Sequence, residues 1–135
     1  MAQGGDVLEV SVNHPTLGSR VFFPKAGEDN TYDLGGFRNE DDESAVTASG
    51  ELINKKNRVR GSFEVVLAND QGVRLDADFC VELTQSIEEA NWTFSSVNGS
   101  VYGGKGVIVG DIKPNLNAAT FSLKVAFGGI MNKLA

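Results

Sequence analysis

The sequence predicts a mainly β protein with one α-helix and one long loop. Of its 135 residues, sixteen are glycine and eight are phenylalanine, and its β-branched residues stand in short runs that alternate with polar residues. Such alternation is typical of half-buried strands, and frequent glycine is typical of a chain with many turns. One stretch instead repeats its apolar residues at a helical spacing, and one longer stretch has no clear period.

Several segments have the alternating pattern of strands. In residues 120–127 the odd-numbered positions are aromatic or aliphatic, which places them on one face of a half-buried strand. The opposite face holds Thr120, Ser122, Lys124 and Ala126. The other predicted strands are Leu8–Val12, Ser19–Phe23 and Val59–Leu67.

A hairpin is predicted between Trp92 and Val109. Its turn is expected at Asn98-Gly99, because both residue types tolerate the positive φ angles of a type I′ turn. The return strand contains Gly103, Gly104, Gly106 and Gly110. Glycines at this density indicate bending, bulges or the close approach of another backbone. A turn at Pro114–Asn117 then leads into the last long strand.

Residues 76–89 are predicted to form the helix. Its apolar face is expected to hold Leu75, Phe79, Leu83 and Ile87, which recur every four positions. Asp76 or Asp78 is expected to cap the first turn, where acidic charge also favours the helix dipole. A period-two pattern in residues 79–83 offers a strand as the competing interpretation.

The segment from Lys25 to Lys56 is predicted to be a long loop. Loops of this length without structure of their own are usually functional or become ordered on binding. Between positions 28 and 43 there is one base, Arg38, against seven acids: Glu28, Asp29, Asp33, Glu40, Asp41, Asp42 and Glu43. Four bases follow, namely Lys55, Lys56, Arg58 and Arg60.

The composition argues against several classes of protein. Twelve Lys and Arg residues against eighteen Asp and Glu give a net charge of −6, which disfavours binding to nucleic acid by phosphate neutralisation. The length suits a single domain, residues 1–135. The apolar runs are much shorter than the roughly 20 residues of a membrane helix, so no membrane insertion is expected. The first residues lack a secretory pattern and the only cysteine is Cys80, so a reducing compartment is expected.

The reactive side chains give little support for an enzyme. The acidic run Glu40–Glu43 lacks the spacing of a calcium loop and is interpreted as solvated. The basic group from Lys55 to Arg60 lacks the interleaved aromatic residues of a nucleic-acid surface. We expect Cys80 to be a buried, inert thiol and His14 to be a turn residue. No catalytic residue, metal or cofactor is predicted, and the two charged clusters are interpreted as contacts between neighbouring copies.

Four segments stand in a distinctive order along the chain. They are residues 31–36 (TYDLGG), 57–64 (NRVRGSFE), 98–111 (NGSVYGGKGVIVGD) and 119–129, which begins ATFSL and ends with two glycines. Together with the single helix, this order resembles that of the tail tube proteins of contractile-tailed bacteriophages, over about residues 6–130. The most specific part is the C-terminal third, where the hairpin, the Gly-x-Gly-x-x-x-Gly-Asp stretch and the last long strand follow one another.

The resemblance implies a structural virion protein without catalysis. Such proteins are similar to two packed antiparallel sheets flanked by a helix, and they form hexameric rings that stack into a hollow tail tube. The expected partners are further copies of the chain, the tail sheath, the baseplate or initiator, and the tail terminator. The implied location is the phage tail, after synthesis and assembly in the host cytoplasm. DNA would pass through an acidic lumen without specific binding, because a like-charged wall offers its phosphates no cations.

The resemblance and the charge pattern together yield two hypotheses about surfaces. The candidate assembly residues are Asp33, Glu40, Asp41, Asp42, Glu43, Lys55, Lys56 and Arg58. Within this set, Asp41, Asp42 and Glu43 of one copy are expected to attract Lys55, Lys56 and Arg58 of another. The candidate lumen-side residues are Arg60, Ser62 and Glu64, together with Thr93 and Ser95. An ordinary outer surface is the alternative for this second set.

Three other classes remain open from the sequence. The first is the related tube protein of a type VI secretion system, which genomic neighbours would distinguish. The second is a monomeric β-sandwich module that binds sugar or peptide, with Trp92, Tyr32 and Tyr102 as stacking residues. The third, with the least support, is a hydrolase that uses a carboxylate pair such as Asp111 with Glu64.

Overall fold

The computed structural model describes residues 2–40 and 45–134, and these form twelve strands and one helix. In chain order they are β1 (Val7–His14), β2 (Gly18–Phe22), β3 (Thr31–Asp33), β4 (Gly36–Asn39), β5 (Ala45–Val46), β6 (Leu52–Ile53), β7 (Lys56–Val59), β8 (Ser62–Ala68), α1 (Asp76–Gln85), β9 (Ala90–Ser96), β10 (Val101–Val109), β11 (Thr120–Phe127) and β12 (Asn132–Lys133).

Most of the strands belong to one antiparallel sheet that bends back on itself. Its order is β2-β1-β9-β10-β11-β8-β3, and β12 pairs with β10. The chain just after β2 returns to β8, where the Lys25 N–H donates to the Val66 carbonyl at 2.9 Å and the Ala68 N–H donates to the Phe23 carbonyl at 2.8 Å. This return creates two packed antiparallel layers around one core. The predicted mainly β, sandwich-like fold with one helix is confirmed.

Aromatic side chains from the two layers meet in the core. The ring centroid of Phe63 on β8 lies 5.0 Å from that of Phe94 and 6.4 Å from that of Trp92, both on β9. Since β8 and β9 are not neighbours in the sheet, these contacts span the core. Side chains alternate along a strand, so the outward faces of β8 and β9 point to opposite sides of the molecule.

The last long strand follows its predicted alternation, with one exception. The odd-numbered side chains of β11 are buried, and Ser122 and Lys124 are exposed. Ala126 is buried although it shares their face. It lies in the interior of the sheet between Ser62 of β8 and Val107 of β10, where a methyl side chain is too small to reach past its neighbours.

The predicted hairpin is present, but its turn is of another type. Residues 97–99 form a three-residue connection, closed by hydrogen bonds from the Gly99 N–H to the Ser96 carbonyl and from the Ser96 N–H to the Ser100 carbonyl. Only Gly99 has a positive φ, +90°, so the type I′ prediction is wrong. The predicted close approach is confirmed at Gly106, where a Cβ would lie 2.4 Å from the Ala126 carbonyl oxygen.

The helix is shorter than predicted and buries a different face. It ends at Gln85 rather than at position 89, and Ile87 beyond it is 100% exposed. Its buried side chains are Asp76, Ala77, Cys80 and Leu83, so of the predicted face Leu83 alone is buried. The N-cap residue is Leu75, and no side chain caps the first turn. The predicted cap by Asp76 or Asp78 is therefore wrong. The Asp76 carboxylate instead forms ion pairs with Arg20 of β2 and with Arg74.

The segment predicted as a long loop contains several short strands. Strand β3 joins the main sheet beside β8, whereas β4 pairs with β7 and β5 pairs with β6 outside it. These strands are only two to four residues long, which leaves too few positions for an alternating pattern to be read from the sequence. Residues 41–44 lie outside the described part of the chain.

Candidate assembly surfaces

Residues 36–40 and 45–59 form a β-ribbon arm outside the main sheet. In its inner part Gly36 pairs with Val59 and Asn39 with Lys56, and further out Ala45 pairs with Ile53. Of its described residues, only Gly36 is fully buried. An isolated two-stranded ribbon is at best marginally stable in water, because it has no layer to pack against. The arm is therefore placed to gain stability from a surface outside its own chain.

The arm exposes large apolar side chains. Phe37 is 65% exposed, Val46 is 68% exposed and Leu52 is 72% exposed, and Ile53 is also exposed. Val46 and Leu52 are direct cross-strand partners, so their side chains share one face of the ribbon. Single exposed apolar residues need no explanation, but several together on a projecting ribbon are typical of a contact surface.

The root of the arm is tightly packed around glycine. Gly35 and Gly36 have φ angles of +80° and +104°, a region that other residues rarely adopt. A Cβ on Gly35 would lie 2.5 Å from the backbone nitrogen of Gly61, whose N–H donates to the Gly129 carbonyl at 2.8 Å. Leu34 adds a further bond by accepting from the Met131 N–H at 2.9 Å. The direction of the arm is thus fixed by the core before any partner is bound.

Several predicted assembly residues are already paired near the root. The Asp33 carboxylate accepts a bond from the Gly35 N–H at 2.9 Å and forms an ion pair with Arg38. The Glu40 N–H donates to the Lys55 carbonyl at 2.8 Å, so the acidic run begins directly opposite the basic one in the same chain. The other predicted acids, Asp41, Asp42 and Glu43, lie outside the described residues.

The two remaining basic assembly residues lie on β7 and are exposed. Arg58 is the cross-strand partner of Phe37, and its guanidinium lies over that ring, 5.0 Å from the centroid. Lys56 is the partner of Asn39. Because Lys56 and Arg58 are two positions apart on a strand, their side chains share one face of the arm.

The structure separates the predicted lumen-side residues into two sets. Ser62 and Glu64 lie on the outward face of β8, and Arg60 lies at the root of the arm. Thr93 and Ser95 lie on the outward face of β9, in the opposite layer. The expectation that all five belong to one face is wrong, since their strands face each other across the core. Periodicity along one strand cannot reveal this, because it says nothing about which strands are opposed.

The outward face around β9 has short uncharged polar side chains at its centre and one charged side chain on each flanking strand, Glu9 of β1 opposite Ser95 and Lys105 of β10 opposite Asn91. Strand register places Ser11 beside Thr93 and Asn13 beside Asn91, and the hydroxyl groups of Ser11 and Thr93 are hydrogen bonded to each other. On the outward face around β8 the charged side chains are direct neighbours, because Glu64 lies opposite Lys124 of β11. The two layers thus differ in how their charged side chains are arranged.

The residues suggested for other functions are distributed as follows. Trp92 is 1% exposed, which contradicts its assignment as a residue that stacks on a ligand. Tyr32 and Tyr102 pack against each other with ring centroids 4.8 Å apart and ring planes tilted by 31°. Glu64 and Asp111 do line one open groove of about 350 Å³, with Asp29 and Lys124. No cluster of three or more potential metal ligands occurs within the described residues.

Cys80 and His14 both lie inside the molecule. Burial raises the pKa of the Cys80 thiol to about 12, with a further contribution from the negative charge of Asp76. Its predicted inert, core-facing position is confirmed. His14 lies at the β1–β2 turn as predicted, where its Nδ1 accepts bonds from the N–H groups of Thr16 and Leu17 and its Nε2 lies 2.9 Å from Ser86 Oγ.

One charged cluster was not found by sequence reasoning. The buried Asp76 carboxylate lies 3.4 Å from both Arg20 and Arg74 and also accepts a bond from the Asp70 N–H at 3.2 Å. Arg20 additionally donates to the Arg74 carbonyl. This cluster ties the helix N-terminus to β2. The short separation of Arg74 and Asp76 in sequence was the available signal, but Arg20 lies more than fifty positions away.

No protein-family model matches this chain, and no curated protein is similar to it in sequence. The described part of the chain holds no helix with the length and apolar character that crossing a membrane requires. The function must therefore be inferred from the chain's own surfaces.

Proposed function

We propose that this protein is a non-catalytic structural subunit that assembles with further copies of itself into rings and stacked tubes. The observation that carries the proposal is the β-ribbon arm, residues 36–40 and 45–59, which exposes Phe37, Val46 and Leu52 while its root is firmly anchored. A ribbon anchored at its root has less conformational entropy to lose on binding than a free loop of the same length, which favours its use as an assembly element.

The sequence resemblance specifies the proposal further. The chain is proposed to form the inner tail tube of a contractile-tailed bacteriophage, as hexameric rings through which the genome passes into the host. It would then reside in the virion, in contact with sheath, baseplate or initiator, and terminator proteins. The two distinct outward faces support this proposal, because a subunit in a tube wall needs one face toward the channel and another toward the exterior.

The test is negative-stain electron microscopy of the purified protein at high concentration, beside a variant without the arm. Gly36 and Val59 are direct cross-strand partners, so residues 37–58 can be replaced by a two-residue Asn-Gly turn. We expect hollow rings or tubes from the natural chain and folded monomers from the variant. A natural chain that stays monomeric at every concentration would contradict the proposal, and so would a variant that assembles equally well.

A further inference from the structure

The arm presents a basic face whose partner is not supplied by its own chain. We define this basic arm face as Phe37, Asn39, Lys56 and Arg58, which strand pairing and alternation place on one side of the ribbon. All four side chains are exposed. Neither Lys56 nor Arg58 forms an ion pair with any described residue. The face therefore combines two unneutralised cations with one exposed aromatic ring.

The helix presents a surface of the opposite charge. Asp78, Val81, Glu82 and Gln85 are exposed and lie at helical spacing along one stripe, which we call the acidic helix stripe. Asp78 and Glu82 are one turn apart and, among the described residues, have no cationic partner. Like charges at this spacing repel each other, so the stripe would be stabilised by positive charge placed against it. Asp78 also favours the helix dipole in the first turn, but Glu82 is too far along the helix for that role.

The two surfaces match in the spacing of their charges as well as in sign. Lys56 and Arg58 are two residues apart on a strand, which separates them by about 6.7 Å. Asp78 and Glu82 are four residues apart on a helix, which separates them by about 6 Å along its axis. Each pair flanks or adjoins an exposed apolar side chain, Phe37 on the arm and Val81 on the helix. Two ion pairs between these surfaces, shielded from water by contact between Phe37 and Val81, fit these dimensions.

We propose that the basic arm face of one copy docks on the acidic helix stripe of a second copy. The proposal rests on the proposed function, since it names the surface that receives the arm during assembly. It differs from the contact expected from the sequence, in which Lys56 and Arg58 meet the acidic run of another arm. That run begins at Glu40, whose N–H donates to the Lys55 carbonyl of the same arm. In the helix stripe, neither Asp78 nor Glu82 forms an ion pair with a residue that the structure describes.

Charge reversal tests the contact. In the arm variant, Lys56→Glu and Arg58→Glu are combined; in the helix variant, Asp78→Lys and Glu82→Lys are combined. Each is expected to reduce the fraction of protein pelleted as tubes at least tenfold, because like charges then face each other. The chain that carries all four changes is expected to recover to within threefold of the natural level. An equimolar mixture of the arm and helix variants is also expected to assemble, since each supplies the complement of the other.

Matched variants separate this contact from its alternatives. Lys105→Glu with Lys133→Glu changes the net charge as the arm variant does, at exposed positions on β10 and β12 that belong to neither surface, and is expected to pellet normally. The arm variant combined with Asp41→Lys, Asp42→Lys and Glu43→Lys tests the arm-to-arm contact. Arg58→Glu with Glu82→Lys repeats the test without altering the first turn of the helix. Thermal unfolding followed by circular dichroism establishes that each variant folds.

The outcomes distinguish the two proposals. If the helix changes restore tube formation by the arm variant, either in one chain or in the equimolar mixture, the result supports the docking surface. Assembly of the natural chain without recovery by the helix changes would overturn the docking surface and leave the tube function intact. If only the changes at positions 41–43 restore tube formation by the arm variant, the basic residues of one arm contact the acidic run of another arm instead. Failure of the natural chain to assemble at all would overturn both proposals.

Discussion

The core and the arm use apolar residues in opposite ways. In the core, Phe63, Phe94 and Trp92 from two layers contact one another and are removed from water. In the arm, Phe37 and Leu52 remain largely in water, on a ribbon that belongs to no layer. The core therefore stabilises the single chain, whereas the apolar surface of the arm contributes stability only when another surface covers it. The glycine root, Gly35 and Gly36, joins the arm to the core and anchors the arm through close packing and hydrogen bonds.

The largest expected effect comes from breaking the core at its centre. Phe63→Ala removes a ring that touches both Phe94 and Trp92, and large-to-small changes of this kind cost about 3–5 kcal/mol. Urea unfolding of the monomer measures the loss. A loss below about 1 kcal/mol would show that the two layers do not depend on this contact.

The next effect concerns the cluster that ties the helix to β2. Asp76→Ala leaves the partly exposed Arg20 and Arg74 without their shared carboxylate, and the loss of these charged hydrogen bonds is expected to cost about 2–3 kcal/mol. The matched control is Asp78→Ala, an exposed acid on the same helix turn, which is expected to change stability by less than about 0.5 kcal/mol. Equal losses in the two variants would contradict the structural role of the cluster.

A third change tests the root that connects core and arm. Gly35→Ala combines a positive φ with a Cβ only 2.5 Å from the Gly61 nitrogen, and is expected to cost roughly 2–3 kcal/mol. The control is Gly50→Ala near the tip of the arm, where φ is +93° but nothing lies within 4 Å, and where we expect about 1 kcal/mol. Hydrogen exchange should accelerate in β4 and β7 in the first variant only. Unchanged exchange there would mean that the root does not order the arm.

The buried thiol gives a pH-dependent measure of the core alone. The pKa of Cys80 is raised from 9.0 to about 12 in the folded chain, so above pH 9 the unfolded chain loses a proton that the folded chain keeps. Its contribution to stability is complete below pH 9 and falls by about 1.4 kcal/mol per pH unit between pH 9 and about 12, where the folded chain also loses the proton. Cys80→Ala should remove this part of the alkaline slope in unfolding experiments. An identical slope in both proteins would place the thiol outside the core.

The smallest effect on the monomer is expected in the arm. Phe37→Ala deletes an exposed ring whose one described aromatic or cationic contact is with Arg58, so the free energy of unfolding should change by less than about 0.5 kcal/mol. Tube formation should nevertheless fall, because the ring is proposed to be covered in the assembly. A large loss of monomer stability would show that the arm belongs to the core after all.

The sequence by itself determined the local features of this protein. The alternation of residues 120–127 predicted a half-buried strand, the apolar spacing after Leu75 predicted the single helix, and the apolar neighbours of Cys80 predicted its burial. Each of these depends on residues a few positions apart, whose spatial relation is fixed by strand or helix geometry. The charged clusters of the arm were equally visible, because they are contiguous in sequence.

The tertiary structure alone decided which elements oppose one another. Asp76 points into the molecule, where its carboxylate lies 3.4 Å from Arg20 on a distant strand, whereas Ile87 lies beyond the end of the helix and is exposed. Glu64 and Thr93 look alike as polar positions on alternating strands, yet they face opposite sides because Phe63 and Phe94 meet between them. Such relations arise from contacts between distant segments, which periodicity along a strand does not encode. For the same reason, the sequence revealed the charges of the arm but not the exposed helix stripe that complements them.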